Sequence, residues 1–324
     1  MLVRLPEVVE NYVCDLTRSV SGSELKRASE RLSSAYRREN TARFTTRADR
    51  IAYLAVRMPA TYAAVCSVFA ETAMRLPDWT PASILDVGAG PGTSLWAAVD
   101  TFSSLAHLTA FEQDSEMVQL GTEMARLSLH DGLRQSNWRV GDIRQSRDLP
   151  EFDLIVASYV VGELAVGVRT QLISMLWRSC RGALVLLEPG TRKGFATLLA
   201  IRDQLLDAGA MLAAPCPHHK TCPMHATGDW CHFAARVERT AVHRRLKEGD
   251  LGHEDEKFSY LVASRIPPSE AEARIVRHPM RYSGHVKLEL CTKAGTLEGK
   301  TVTRSHKENY RQAKKVDWGS SWGE

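Results

Sequence analysis

The first quarter of the chain has a helical pattern of apolar residues. Apolar positions recur every three or four residues over 25–32 and again over 51–58. This spacing predicts amphipathic helices, and strand patterns are nearly absent from the same stretch. Pro77 and Pro81 then interrupt any helix or central strand. We therefore expect a helical N-terminal region over residues 1–80, with a domain boundary near its end.

From residue 81 onward, short apolar runs alternate with longer amphipathic segments. The apolar runs are SILDVG, LTAFEQ, WRVGDI, FDLIVASYV and ALVLLEP. Strands separated by helices of this length predict βαβ units and a parallel sheet covered on both faces. Two later runs, KFSYLVASR and GHVKLELCTK, would complete a seven-stranded sheet. We expect one α/β domain over residues 81–300, with residues 211–257 as an insertion.

Composition narrows the classes of protein. A content of 44% hydrophobic and 25% charged residues is typical of a soluble globular chain. No window approaches the ~20 apolar residues of a membrane span, and the first residues lack a basic-then-apolar signal layout. We therefore expect a cytoplasmic protein with no membrane partner, and the mitochondrial matrix is the alternative if the protein belongs to an organelle pathway. The net charge of +4 is too small to establish a polyanionic partner by itself.

The most specific motif follows the first strand of the α/β region. Gly88, Gly90 and Gly92 come directly after a strand that contains Asp86. Glycines there let the backbone turn tightly and approach a ligand at the carboxyl edge of the sheet. A dinucleotide fold would favour G-x-G-x-x-G, whereas G-x-G-x-G resembles motif I of S-adenosylmethionine-dependent methyltransferases. The motif predicts a class I, Rossmann-like methyltransferase fold that binds S-adenosylmethionine.

Two further acidic residues fit a donor site. Glu112 ends the next strand, twenty residues after Gly92, where its carboxylate can accept hydrogen bonds from both ribose hydroxyls. Asp142 follows the third strand, where this superfamily places its adenine contact. Each alone is equally compatible with a loop or capping role. With Asp86 and the three glycines, they form the predicted cofactor site.

The acceptor side carries a weaker signal. The loop after the fourth strand reads ASYVVGEL and lacks the Asp/Asn-Pro-Pro-Tyr/Phe motif that holds an amine. Tyr159 and Glu163 could orient or deprotonate an acceptor, although packing at a strand end and helix capping are the simpler explanations and the ones the sequence favours. Pyrimidine methylation at carbon needs a cysteine nucleophile, and Pro215-Cys216 is the one Pro-Cys pair. The neighbours of Cys216 indicate another role.

Four of the seven cysteines lie in the last third of the chain. Cys216, Cys222 and Cys231 are separated by five and eight residues, and Cys291 follows in a strand-like run. Four thiolates can bind zinc or a [4Fe-4S] cluster. Histidines could instead complete a zinc site, and the candidates are His218, His219, His225 and His232. The spacing predicts a metal centre without deciding the metal.

The N-terminal region is rich in arginine between aromatic residues. Arg37, Arg38 and Arg43 lie close to Tyr36 and Phe44. Such interleaving suits phosphate contacts with nearby stacking, and it equally suits a solvated helix face with salt bridges.

Several motifs together resemble one family, the methyltransferase-like small-ribosomal-subunit assembly proteins of the Rsm twenty-two type. The resemblance runs from about residue 30 to the end of the chain. It is carried by the glycine motif, the Cys-Pro segment and these stretches: Tyr36-Arg37, RMPATYAAV at 57–65, LEPGT at 187–191, Arg277-His278-Pro279 and Gly284-His285-Val286.

The resemblance implies a [4Fe-4S] cluster on Cys216, Cys222, Cys231 and Cys291, with zinc as the alternative. It also implies association with the small ribosomal subunit and its rRNA. The arginine-rich region and a basic tail over residues 301–324, with Lys314 and Lys315, become candidate RNA contacts. We expect a monomer when the protein is off the ribosome.

Three functions remain open from the sequence. The first is an rRNA-binding assembly factor that holds S-adenosylmethionine and the cluster. The second is an active rRNA methyltransferase, and the third is a zinc-stabilised methyltransferase for small molecules. The absence of an amine-holding motif favours the first.

Overall fold

The computed structural model describes residues 2–37, 44–247 and 251–323, and its description omits the side chains of residues 35–37. The helices of the described residues are α1 Glu7–Arg18, α2 Gly22–Arg37, α3 Arg47–Val56, α4 Met58–Arg75, α5 Thr93–Thr101, α6 Ser115–Arg126, α7 Asp131–Arg134, α8 Val166–Arg178, α9 Arg192–Asp207, α10 Ala241–Lys247 and α11 Lys307–Ala313. The helices predicted for the N-terminal region are confirmed as α1 to α4.

The strands, in chain order, are β1 Leu2–Val3, β2 Ser83–Val87, β3 His107–Glu112, β4 Asn137–Val140, β5 Phe152–Ser158, β6 Cys180–Pro189, β7 Met211–Ala214, β8 Phe233–Glu238, β9 His253–Ser264, β10 Ala273–Ile275, β11 Met280–Arg281, β12 His285–Thr292, β13 Leu297–Thr303 and β14 Ser321–Trp322. The five apolar runs predicted as strands are β2 to β6.

The main sheet has the order β4-β3-β2-β5-β6-β9-β8, with β1 beyond β8. Strands β2 to β6 are parallel, β9 runs antiparallel to β6, and β8 runs antiparallel to β9. Five parallel strands followed by an antiparallel pair form the Rossmann-like methyltransferase fold. The predicted Rossmann-like methyltransferase fold is therefore confirmed.

One predicted strand lies elsewhere. The run KFSYLVASR is part of β9 in the main sheet, as expected, but GHVKLELCTK forms β12 of a second, five-stranded sheet. The place expected for it is taken by β7 and β8, which pair with successive parts of β9. Residues 211–257 are thus only partly an insertion, because the cysteine-rich loop over 215–232 joins two strands of the main sheet.

Both faces of the main sheet are covered. Alternate residues of each central strand face opposite sides, so Ile84 packs in one apolar core and Leu85 in the other. The first core includes residues of α1 to α6, so the N-terminal helices share it with the sheet. The second core is closed by α8 and α9. No single described helix is long and apolar enough to span a membrane, although α3 and α4 together meet that length and composition across a 46° bend.

The second sheet packs its inner face on α11. Strand β12 pairs with β13 along one edge and with β10 and β11 along the other, and β14 pairs with β10. Val286, Leu288 and Leu290 alternate along β12 and enter one core with Ala313 of α11. The C-terminal residues predicted as a basic tail therefore include a helix and a strand that belong to this sheet.

A buried arginine joins the second sheet to the rest of the chain. Arg274 on β10 is 2% exposed, and its Nε donates to the Pro215 carbonyl at 2.9 Å. Its Nη1 donates to the Gly319 carbonyl at 2.8 Å, and its Nη2 donates to Glu71 of α4 at 2.5 Å. Arg75 also donates to Glu71, at 3.0 Å. Although burial opposes it, the two arginines hold the pKa of Glu71 below its usual value.

Glu71→Ala should destabilise the fold by about 3–5 kcal/mol, because it leaves two buried guanidinium groups without their carboxylate. Urea unfolding measures the loss. The matched control is Glu151→Ala, which removes an exposed pair with Arg181 and should cost about 1 kcal/mol or less. Equal losses in the two variants would contradict the role given to this network.

Candidate functional site

The glycine turn lies at the carboxyl edge of the main sheet. Gly88, Gly90 and Gly92 have φ angles of 65°, 52° and 80°, which favour glycine. A Cβ on Gly88 would overlap Val160, and a Cβ on Gly92 would lie 2.8 Å from the Trp138 ring. A Cβ on Gly90 would meet no atom within 4 Å. The turn therefore presents backbone to an open space beside Gly90.

Glu112 borders that space at the end of β3. Its Oε2 accepts from the Gly90 N–H at 2.9 Å, and its Oε1 accepts from the Asp114 N–H at 2.8 Å. A carboxylate has about four acceptor positions, so both oxygens keep capacity for further donors. Glu112 is thus fixed by the turn and still able to accept from a diol.

The other two predicted acidic residues take different positions. Asp86 in β2 is fully buried, and this burial raises its pKa to about 8, although the facing Ser94 partly offsets the effect. Asp142 begins a short 3-10 helix over Ile143–Gln145 at the same sheet edge as Glu112. Its carboxylate pairs with Arg144 at 2.6 Å, and this arginine lowers the pKa of Asp142.

Tyr159 follows β5 in a conformation that is rare for its type. Its φ is 60°, in the left-handed region, which costs a non-glycine residue on the order of 1–3 kcal/mol. The Tyr159 hydroxyl donates to Glu256 Oε1 at 3.2 Å, and Arg57 pairs with the same carboxylate at 2.9 Å. Burial raises the pKa of Tyr159 well above its usual value. These contacts hold a strained residue at the carboxyl edge of the main sheet.

Two neighbouring carboxyl groups titrate near neutrality. Burial, reinforced by the charge of Glu112, raises the pKa of Glu163 to about 7. Burial also raises the pKa of Glu188 to about 7, although the Gly162 N–H donates to its Oε1 at 2.9 Å. Groups perturbed in this way often mark functional sites. The sequence interpretation missed Glu188, yet its position at the end of a parallel strand was the available signal.

The four predicted cysteine ligands surround one cavity. Cys216, Cys222 and Cys231 enter it from the loop between β7 and β8, and Cys291 enters from β12. The cavity has a volume of about 50 Å³ and a mainly apolar lining. Burial and the neighbouring thiols raise the pKa of Cys291 to about 12. The expected juxtaposition of the loop with the last cysteine is therefore present.

Positive groups line the same cavity. Arg202 of α9 is 3% exposed, its Nη2 donates to the His218 carbonyl at 3.3 Å, and its Nε has no hydrogen-bond partner. The arginine lies near Cys222 and Cys291, and its charge opposes the rise in the pKa of both thiols. Arg274 lines the opposite part of the cavity. A buried donor without a partner favours an anionic occupant that can accept from it.

The four candidate histidines separate into two groups. His218 lines the cavity, with its Nε2 at 3.4 Å from the Cys291 Sγ. The others face elsewhere: His219 accepts from the Leu212 N–H, His225 is exposed, and His232 stacks on Trp230. Among residues 2–37, 44–247 and 251–323, no three His, Cys, Asp or Glu side chains are close enough together to hold a metal ion as they stand.

The predicted RNA contacts are only partly described. Arg38 and Arg43 lie outside the described residues, as does the side chain of Arg37. Lys314 and Lys315 follow α11 and are exposed, and the Lys314 ammonium lies 5.8 Å from the centre of the Tyr310 ring.

Three curated relatives extend over different parts of the chain. Human "Ribosome assembly protein METTL17, mitochondrial" is 28% identical over 83% of this chain and 61% of its own length. "Rsm22-cox11 tandem protein 2, mitochondrial" of Schizosaccharomyces pombe is 25% identical over 89% of this chain and 45% of its own. "tRNA (guanine(6)-N2)-methyltransferase" of Thermus thermophilus is 34% identical over 43% of this chain and 40% of its own. The chain thus spans less than two thirds of each relative.

These relatives correct one expectation from the sequence. A cytoplasmic location was inferred from the layout of the first residues. The human and fission-yeast relatives carry mitochondrial names, which contradicts that inference. The pattern of the first residues was therefore an inadequate basis for a location.

A family model matches most of the chain. The model describes "Mitochondrial small ribosomal subunit Rsm22" and matches residues 47–323. The match includes the glycine turn, the carboxyl groups at the sheet edge and all four cysteines of the cavity. The chain belongs to the Rsm22 family.

Proposed function

We propose that this chain is a methyltransferase-like assembly factor of the small ribosomal subunit that binds S-adenosylmethionine and a [4Fe-4S] cluster. Membership of the Rsm22 family over residues 47–323 is the observation that carries the proposal. The name of the human relative as a ribosome assembly protein agrees with it. Contact with rRNA through the arginine-rich region and through Lys314 and Lys315 is part of the same proposal.

The open space beside Gly90 supports S-adenosylmethionine as the ligand. The backbone at Gly90 lies next to a carboxylate that retains acceptor capacity, which suits a ribose diol. Asp142 at the end of the adjacent strand would border the adenine. Bound S-adenosylmethionine would supply an activated methyl group, and the residues of this edge would position the donor.

The cysteine cavity supports a cluster. Four thiols and an unpartnered guanidinium N–H face this cavity. A [4Fe-4S] group with four thiolates is anionic, so Arg202 would both offset its charge and donate to one of its sulfur atoms. Cys216, Cys222, Cys231 and Cys291 would be the ligands.

An active rRNA methyltransferase is the second candidate. Glu163 and Glu188 have pKa values of about 7, so each can donate or accept a proton near neutral pH. They lie with Tyr159 at the edge that borders the donor space. This candidate uses the same donor site as the assembly factor and adds a reaction.

Gly90→Val should abolish binding of S-adenosylmethionine in calorimetry, because the side chain would enter ligand space and strain a backbone with φ of 52°. Gly209→Val is the matched control. Gly209 also has a positive φ, of 78°, with no atom near its Cβ position, but it precedes β7. Unchanged affinity in Gly90→Val, or equal loss in both variants, would contradict the proposed donor site.

Anaerobically purified protein should be brown and contain about four irons per chain. Cys291→Ser should lose the cluster and increase hydrogen exchange over residues 211–235, because ligation would tie the loop to β12. Cys180→Ser should keep full iron, since Cys180 is equally buried but lies in β6 outside the cavity. Zinc in place of iron, or full iron in Cys291→Ser, would refute the cluster.

Affinity for small-subunit rRNA fragments should fall steeply with salt, because phosphate contacts release counterions. Replacing Arg37, Arg38 and Arg43 with alanine should lower the log–log salt slope by about 2 to 3. The charge-matched control replaces three exposed arginines elsewhere, Arg126, Arg178 and Arg181, and should leave the slope unchanged. Binding that does not depend on salt would contradict this arrangement.

A further inference from the structure

The outer face of the second sheet carries an aromatic stack. Tyr282 follows β11, and its ring stacks on His285 with centroids 4.6 Å apart and planes 16° from parallel. The Lys287 ammonium lies 5.8 Å from the centre of the Tyr282 ring. Tyr282 is 49% exposed, so a large aromatic ring stands in solvent beside a cation.

Strand register places these groups on one face. Val286 of β12 points into the core, so its neighbours His285 and Lys287 point outward. Lys287 lies between Met280 and Thr301 in a cross-strand row. Met280 is 45% exposed, which extends the apolar part of the face. We name this face, formed by Met280, Tyr282, His285 and Lys287, the aromatic face.

The surrounding charge is mainly positive, although the exposed Glu289 lies two residues after Lys287 on the same side of β12. The segments 277–288 and 299–307 contain six lysines and arginines and no Asp or Glu. Arg277 is engaged with Asp229, but Lys287, Arg304 and Lys307 are exposed. The Arg304 N–H donates to the Gly284 carbonyl, which brings this arginine beside the turn that bears Tyr282. An anionic partner with flat rings is complementary to such a face.

We infer that the aromatic face binds single-stranded RNA, with a base stacked on Tyr282 and phosphates held by Lys287 and Arg304. The flexible lysine would leave the ring, since a base stacks more strongly than an exposed ammonium. The released ammonium would then reach the phosphate of that base. This inference rests on the RNA binding in the proposed function, and it adds Tyr282 and Lys287 to the basic residues over 301–324 that the sequence indicated.

Unpaired bases fit this face better than a duplex. In an A-form duplex the bases are stacked within the helix and their flat faces are covered, so Tyr282 could not contact them. Loops and single strands expose those faces and leave the phosphates free to follow the basic residues. Stacking also tolerates any base, so little sequence preference is expected.

The test uses the full chain, a fluorescent 12-nucleotide RNA of mixed sequence, and a duplex of the same length. Tyr282→Ala should weaken binding of the single strand by about 5- to 150-fold and leave duplex binding unchanged. Tyr282→Phe should restore single-strand affinity because the ring is kept. Lys287→Ala and Arg304→Ala should each lower the slope of log affinity against log salt concentration by about 0.7. Lys293→Ala, beyond the end of β12, should leave that slope unchanged.

Three outcomes would overturn the inference. Equal losses for single strand and duplex in Tyr282→Ala would indicate a structural effect. Unchanged single-strand affinity in Tyr282→Ala would show that the aromatic face is not the RNA-binding surface, while RNA binding by the protein as a whole would stand. Wild-type protein that binds neither RNA would also contradict the RNA binding in the proposed function. The same holds if the wild-type protein binds polyglutamate, tested as a polyanion without bases, but neither RNA.

Discussion

The ion pair between Arg274 and Glu71 determines how the two sheets of this chain meet. Arg274 on β10 reaches a carboxylate of α4 and the carbonyls of Pro215 and Gly319. It thereby fixes the second sheet, the start of the cysteine loop and the C-terminal residues against the helical layer. A buried guanidinium carries several N–H donors, and each needs an acceptor. Few relative positions of these parts therefore supply all the acceptors at once. Cys291 lies on β12, next to β10, and faces the loop cysteines because of this geometry.

The candidate donor site depends on a different constraint, the common edge of parallel strands. Strands β2, β3, β5 and β6 end at this edge, so the glycine turn, Glu112, Tyr159 and Glu188 are brought together there. Helix α9 begins just after β6 and carries Arg202 to the cysteine cavity. The two candidate sites are therefore linked by a single helix.

Local patterns were sufficient for the central part of the fold. Apolar runs and the G-x-G-x-G spacing predicted β2 to β6 and the glycine turn, because both depend on residues close in sequence. The sheet to which β12 belongs was not predictable in this way, since the alternation of apolar and polar residues identifies a strand but not the sheet that contains it. Arg57 and Glu256 pair across 199 positions, and no short-range pattern indicates such a contact. The cysteines were recognisable by number and spacing, whereas Arg202 and its unpartnered Nε required the structure.

The methyl groups of the rRNA show most directly whether the chain transfers methyl groups or only assists assembly of the small subunit. Mass spectrometry of small-subunit rRNA, from cells with and without the protein, compares every methylated nucleotide. An assembly factor predicts that small subunits become scarce while each rRNA that is made keeps all its methyl groups. The disappearance of one methyl group at full subunit abundance would contradict that account and establish the chain as an rRNA methyltransferase.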